Sequence, residues 1–128
     1  KYHMIRAALE SIAYQVNDVL AAMEADSNMK ISSLKVDGGA SANDFLMQTQ
    51  ADIVNVPVIR PQCVETTAMG AAYLAGLAAG YWTNKEDVIN NWKSNQTFQP
   101  SIVEADREQR IKGWNKAVKY AYGWAKEE

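Results

Sequence analysis

One cysteine, Cys63, and one histidine, His3, are the chain's whole supply of the two residue types that carry much metal and nucleophile chemistry. A single thiol excludes an internal disulfide and points to a reducing compartment. A lone histidine leaves no His/Cys cluster at metal-ligand spacing. It would also make any Ser/His/Asp triad depend on a residue near a frayed terminus. A surplus of positive charge is missing as well: 13 lysines and arginines stand against 15 acids, a net charge of −2. No chain-wide positive field therefore draws in nucleic acid or an anionic membrane surface. Long hydrophobic runs are absent too. The stretch 66–80, rich in alanine and glycine, falls short of the roughly 20 residues that a membrane-spanning helix needs. The first residue is lysine, no charged-then-apolar leader follows, and a soluble cytoplasmic protein is expected.

What is present reads as one globular domain. The length is 128 residues, and 48% apolar with 22% charged residues argues against disorder. Residues 3–25 carry Ile5, Ala8, Leu9, Ile12, Val16, Val19, Leu20 and Met23 at three- and four-residue spacing, which predicts an amphipathic helix that needs a partner surface. Asp26-Ser27-Asn28 stops it. Residues 31–36 and 56–59 read as strands, the second closed by Arg60-Pro61. Helices are predicted over 41–54, 66–79 with Gly80 as C-terminal cap, 84–92 from an Asn cap, and about 104–126. Residues 93–103 are polar and read as irregular. Trp82, Trp92, Trp114 and Trp124 lack an accompanying basic groove, so packing is their expected role.

The order predicts an α/β arrangement in which a parallel pair of strands is covered by helices. Two strands are few for such a sheet, so either strands escape the pattern or the sheet is completed elsewhere. Unpaired strand edges lead to the expectation of self-association, as a homo-oligomer, or of seating on a partner.

The most informative stretch is VDGGASANDF, residues 36–45. Gly38 and Gly39 stand where a strand ends and a helix begins, with Ser41 as the expected cap and Asp44 three residues on in a capping-box-like pattern. A helix start offers unpaired amides and the positive end of its dipole, and two residues without Cβ let a phosphate approach that backbone. Asn43 carries both a donor and an acceptor, as reading a purine edge requires. Chain reversal alone also explains such a turn, and the stretch matches neither GxxxxGK[ST] nor GxGxxG. The helix from Thr66, capped by Thr66 or Thr67, is slim enough to wall a nucleotide cleft or to pack tightly on a sheet.

VDGGASANDFLMQTQADIVNVPVIRP, then ETTAMGAAYLAGLAAGYW, resembles the C-terminal part of bacterial glycerol kinases of the FGGY carbohydrate kinase family, and His3–Glu10 is similar to the closing half of that family's second motif. The resemblance implies an actin-like (ribonuclease-H-like) ATPase lobe, of which residues 1–128 would be one partial domain with an incomplete sheet. It implies ATP and Mg2+ as cofactors, with Gly38 and Gly39 beneath the α-phosphate and ribose, Gly39 closest, and Asn43 bonded to adenine. It implies transfer of the γ-phosphoryl of Mg-ATP to glycerol, giving sn-glycerol 3-phosphate. The catalytic base, the glycerol contacts and the Mg2+ ligands would lie in preceding sequence, so no catalytic or metal residue is assigned in this chain. A fragment is expected, because the chain starts inside a family motif, lacks a start methionine and has too few strands. It is expected to be inactive by itself because the catalytic base and the phosphate clamps are missing. A related sugar or sugar-alcohol kinase and a non-catalytic ATP-binding module are the alternatives.

Overall fold

The computed structural model describes residues 1–63, 65–91 and 94–123. Among the described residues five helices and three strands follow in the order α1 (Tyr2–Ser27), β1 (Leu34–Lys35), a 3-10 turn (Gly39–Ala42), α2 (Asp44–Val54), β2 (Val58–Pro61), α3 (Thr66–Ala78), α4 (Lys85–Asn91), β3 (Ser94–Phe98) and α5 (Glu104–Ala121). The predicted ends of the fourth helix at Trp92 and of the last at Lys126, and Trp92 and Trp124 themselves, lie outside the described residues.

The sheet is mixed, not purely parallel. β1 runs parallel to β2, with Leu34 opposite Val58, and β3 runs antiparallel on the other side of β2, with Val58 opposite Phe98. β3 corrects the irregular reading of residues 93–103. Its sequence SNQTF has no alternating apolar face, because only Phe98 reaches the core and the other four residues are exposed. Pro57 precedes β2 and contributes only its carbonyl, which accepts from the Leu34 amide at 2.8 Å. Pro61, without an amide hydrogen, ends β2 beside a register shift between Arg60 and Pro61.

The core lies between the sheet and α2. Leu46, Met47, Ala51, Val58 and Phe98 form one buried cluster, and Leu34, Val36 and Val54 pack against it. Full burial of a side chain the size of Leu46 or Val58 contributes about 1.5–3 kcal/mol before ordering entropy is subtracted. α1 lies across α2, but with a narrower face than its periodicity suggests. Ala13 is its one buried residue, while Leu9, Val16 and Leu20 are half-buried. Ile5, Ile12, Val19 and Met23, also in the apolar stripe, are exposed.

Helix ends follow local chemistry. Asn28 and Asn55 adopt the left-handed conformation after α1 and α2, with φ of 54° and 56°. After α3, Gly80 takes φ of 75°; the Tyr81 amide reaches back to the Gly76 carbonyl and the Gly80 amide to that of Leu77, a Schellman closure. Trp82 then folds over Gly76, where a Cβ would lie 2.2 Å from its ring. Asn84 caps α4 by accepting from the Asp87 amide at 2.9 Å, and Asp87 accepts from Thr83 in return. That side-chain and backbone bonding to Thr83 holds the Asp87 carboxyl below its ordinary range. Arg107 of α5 donates to the Ile53 carbonyl at 2.8 Å, which satisfies one of the orphan acceptors at the end of α2. Trp114 stacks on Tyr14 at 5.4 Å and donates to Asp18 at 2.7 Å, fastening α5 to α1. Trp82 and Trp114 are thus both engaged in packing.

Candidate functional site

The doubled glycine divides into two different roles. Gly38 has φ 79° and ψ 170°, a backbone region essentially closed to residues with a Cβ. The chain itself requires glycine there. Gly39 opens the 3-10 turn with no positive φ, and a Cβ built on it meets nothing within 4 Å. Neither the fold's backbone nor its packing calls for glycine at 39. That residue is exposed, as is Asn43.

Ser41 does not cap the following helix. It is 2% exposed inside the turn, and its amide and hydroxyl both donate to the Gly38 carbonyl, at 3.1 and 2.7 Å. The four residues GASA complete a 3-10 turn first, which moves the cap two positions on. Asn43 takes that place in extended conformation, its Oδ1 accepting from the Leu46 amide at 3.0 Å. The carbonyl oxygen is therefore engaged, and the Nδ2 group is left as the donor that Asn43 presents. Asp44 does not complete a capping box either. It sits in the first turn of α2, where its charge suits the helix dipole, and pairs with Arg60 at 2.8 Å.

The start of α3 lies against the same turn. Thr66 is not the cap, a position held by Glu65 without a side-chain bond. Its Oγ1 donates to Asp37, the residue before the two glycines. Beside this link a cavity of about 350 Å³ opens among Cys63, Thr66, Met69, Gly70 and Tyr73, and neither glycine of the turn lines it. No residue of α3 is buried: its alanines from 68 to 78 are exposed, and of its small residues Gly76 is covered by the Trp82 ring. Among the described residues no group of three or more His, Cys, Asp or Glu is placed to hold a metal, and no helix is long and apolar enough to cross a membrane.

Sequence reasoning singled out Gly38, Gly39 and Asn43, and the structure brings all three into one turn at the start of α2. It passed over Arg60, read only as the end of a strand. Arg60 is 9% exposed, and no spacing rule connects it to Asp44 or to Asn95.

Residues 1–79 match the FGGY family of carbohydrate kinases, C-terminal domain. The glycerol kinase of Agathobacter rectalis is 62% identical over 128 residues, all of this chain and 26% of that protein. Glycerol kinase 1 of Clostridium tetani is 59% identical over the same coverage. The chain thus spans about a quarter of the length of the curated relatives it matches. Among solved structures, Plasmodium falciparum glycerol kinase with ADP superposes with a TM-score of 0.82 at 32% identity, over 94% of this chain and 24% of that one. A ligand-bound xylulose kinase from Lactobacillus acidophilus superposes at 0.74 with 24% identity, over 95% of this chain and 25% of that one, which speaks to the fold alone.

Proposed function

We infer, because this chain belongs to the FGGY family of carbohydrate kinases, that it is the nucleotide-holding C-terminal part of a glycerol kinase. The observation that carries the reading is identity of about 60% to curated glycerol kinases over the chain's full length. The whole protein would transfer the γ-phosphoryl of Mg-ATP to a terminal hydroxyl of glycerol, forming the new P–O bond as the bond to ADP breaks and releasing sn-glycerol 3-phosphate. The nucleotide supplies the phosphoryl group, and its bound Mg2+ neutralises charge on the phosphates. Residues 1–128 would form one partial domain.

Within that protein this chain's task is to bind and orient. Gly39 bares its backbone to the α-phosphate and ribose, and the open space where its Cβ would stand supports this. Gly38 supplies the bend that turns the backbone there. Asn43 presents its Nδ2 to the adenine while its Oδ1 holds the helix start. The base that accepts the glycerol proton, the glycerol contacts and the Mg2+ ligands belong to the remaining three quarters of the protein. General base catalysis alone is worth about 10²–10⁴-fold. The 128-residue chain by itself should therefore show no turnover.

The test is ADP release by the full-length protein with Mg-ATP and a panel of glycerol, xylulose and gluconate. Turnover of glycerol in strong preference is expected. Turnover of another polyol with glycerol silent would assign the chain to a related sugar kinase. ATP binding without turnover of any substrate would leave a non-catalytic module.

A further inference from the structure

Arg60 is the most densely bonded side chain near the turn. It projects from β2, and every nitrogen of its guanidinium is engaged. Nη1 donates to the Ser41 carbonyl at 2.9 Å and to Asp44 at 2.8 Å. Nη2 donates to Asn95 and to Gln96, each at 3.1 Å, and Nε to Asn95 at 3.3 Å. The Phe98 ring lies beneath the charge, 5.2 Å from centroid to guanidinium carbon. A planar fork with five donors is the one side chain that satisfies this acceptor set at once; a lysine ammonium, with three donors at a point, does not.

Ser41 lies between Gly39 and Asn43, and Asp44 follows Asn43. The guanidinium therefore grips the turn on both sides of Asn43 while β3 grips the guanidinium. We propose that Arg60 is the positioning residue of the nucleotide turn: it touches no nucleotide and fixes the backbone that does. The inference rests on the reading of Gly39 and Asn43 as nucleotide contacts. Its charge-assisted bonds to the Ser41 carbonyl and Asp44 set where the 3-10 turn meets the first turn of α2. An offset of about 1 Å in such a scaffold is enough to cost 10²-fold in a well-oriented site.

The experiment measures kcat, KM for ATP and KM for glycerol in the full-length protein for Arg60→Lys, Asp44→Asn and Gly39→Ala. Arg60→Lys should raise KM for ATP at least tenfold, with KM for glycerol within twofold of the parent. Asp44 is exposed on the surface, so Asp44→Asn keeps the test open if Arg60→Lys does not fold; it should raise KM for ATP about threefold or more. A fall in kcat with both KM values unchanged, the mark of a lost fraction of folded enzyme, overturns the proposal. If Gly39→Ala weakens ATP binding while Arg60→Lys or, in its absence, Asp44→Asn does not, the positioning role falls and the turn's assignment stands. If Gly39→Ala leaves ATP binding intact, the turn's assignment falls and takes this proposal with it.

Discussion

Alanine at Gly38 and alanine at Gly39, made separately, should produce opposite effects on stability and ligand binding. At Gly38 the backbone sits at φ 79° and ψ 170°, so a Cβ is strained whatever the surrounding space, and the cost is about 1–3 kcal/mol. At Gly39 the backbone is ordinary and the space is open, so alanine should stabilise by about 0.4–1 kcal/mol through a less flexible unfolded chain. Ligand binding should rank the two the other way. If Gly39 faces the nucleotide as proposed, a methyl group at 39 would stand between backbone and nucleotide and should weaken ADP at least tenfold, equivalent to about 1.4 kcal/mol. Thermal unfolding midpoints and calorimetric ADP titration of the full-length variants provide both measurements. Gly39→Ala with a raised midpoint and unchanged ADP affinity would refute the assignment of that glycine to the ligand. Gly38→Ala with an unchanged midpoint would refute the strain argument.

Other expectations follow from single contacts. Gly76→Ala places a Cβ against the Trp82 ring at 2.2 Å, so it should displace the indole and shift tryptophan fluorescence. Leu46→Ala removes a core side chain that is 2% exposed and should destabilise by about 2–5 kcal/mol in denaturant titration. The Glu24 carboxyl accepts from the Ile31 amide and then from Lys30, which holds its pKa below the ordinary value of 4.5. A folded pKa below the unfolded one means a contribution present above about pH 4.5 and lost as pH falls through the folded value. Carboxyl NMR titration should place the Glu24 midpoint below 4.5, and Glu24→Gln should flatten that part of the acid-stability profile.

The legible parts of the fold were those with strong periodicity or firm punctuation. All five helices and both parallel strands stand close to their predicted places, since Asn28, Asn55 and Gly80 end elements by backbone preferences that short sequence encodes. β3 was not legible. A strand with four exposed residues and one buried phenylalanine has no period-two signature, and its place is set by pairing with β2, a long-range event. The candidate turn was legible in composition and misread in detail: Ser41 and Asn43 are both good caps, and only the 3-10 turn decides between them. Arg60 was invisible for the same reason as β3, because its partners come from a turn and a strand distant in sequence.

α3 carries Ala68, Gly70, Ala71, Ala72, Ala75, Gly76 and Ala78 among its thirteen residues, none buried within this chain. Alanine and glycine have no rotamers to lose, whereas each leucine-sized side chain that becomes covered gives up about 0.5–1 kcal/mol of conformational entropy. Gly76 is already covered by Trp82, but a surface laid over the other small residues would meet backbone at close range, with side-chain ordering on the α3 side confined to larger residues such as the exposed Leu74. The ordering cost of contact at those positions would fall mainly on the surface laid over them.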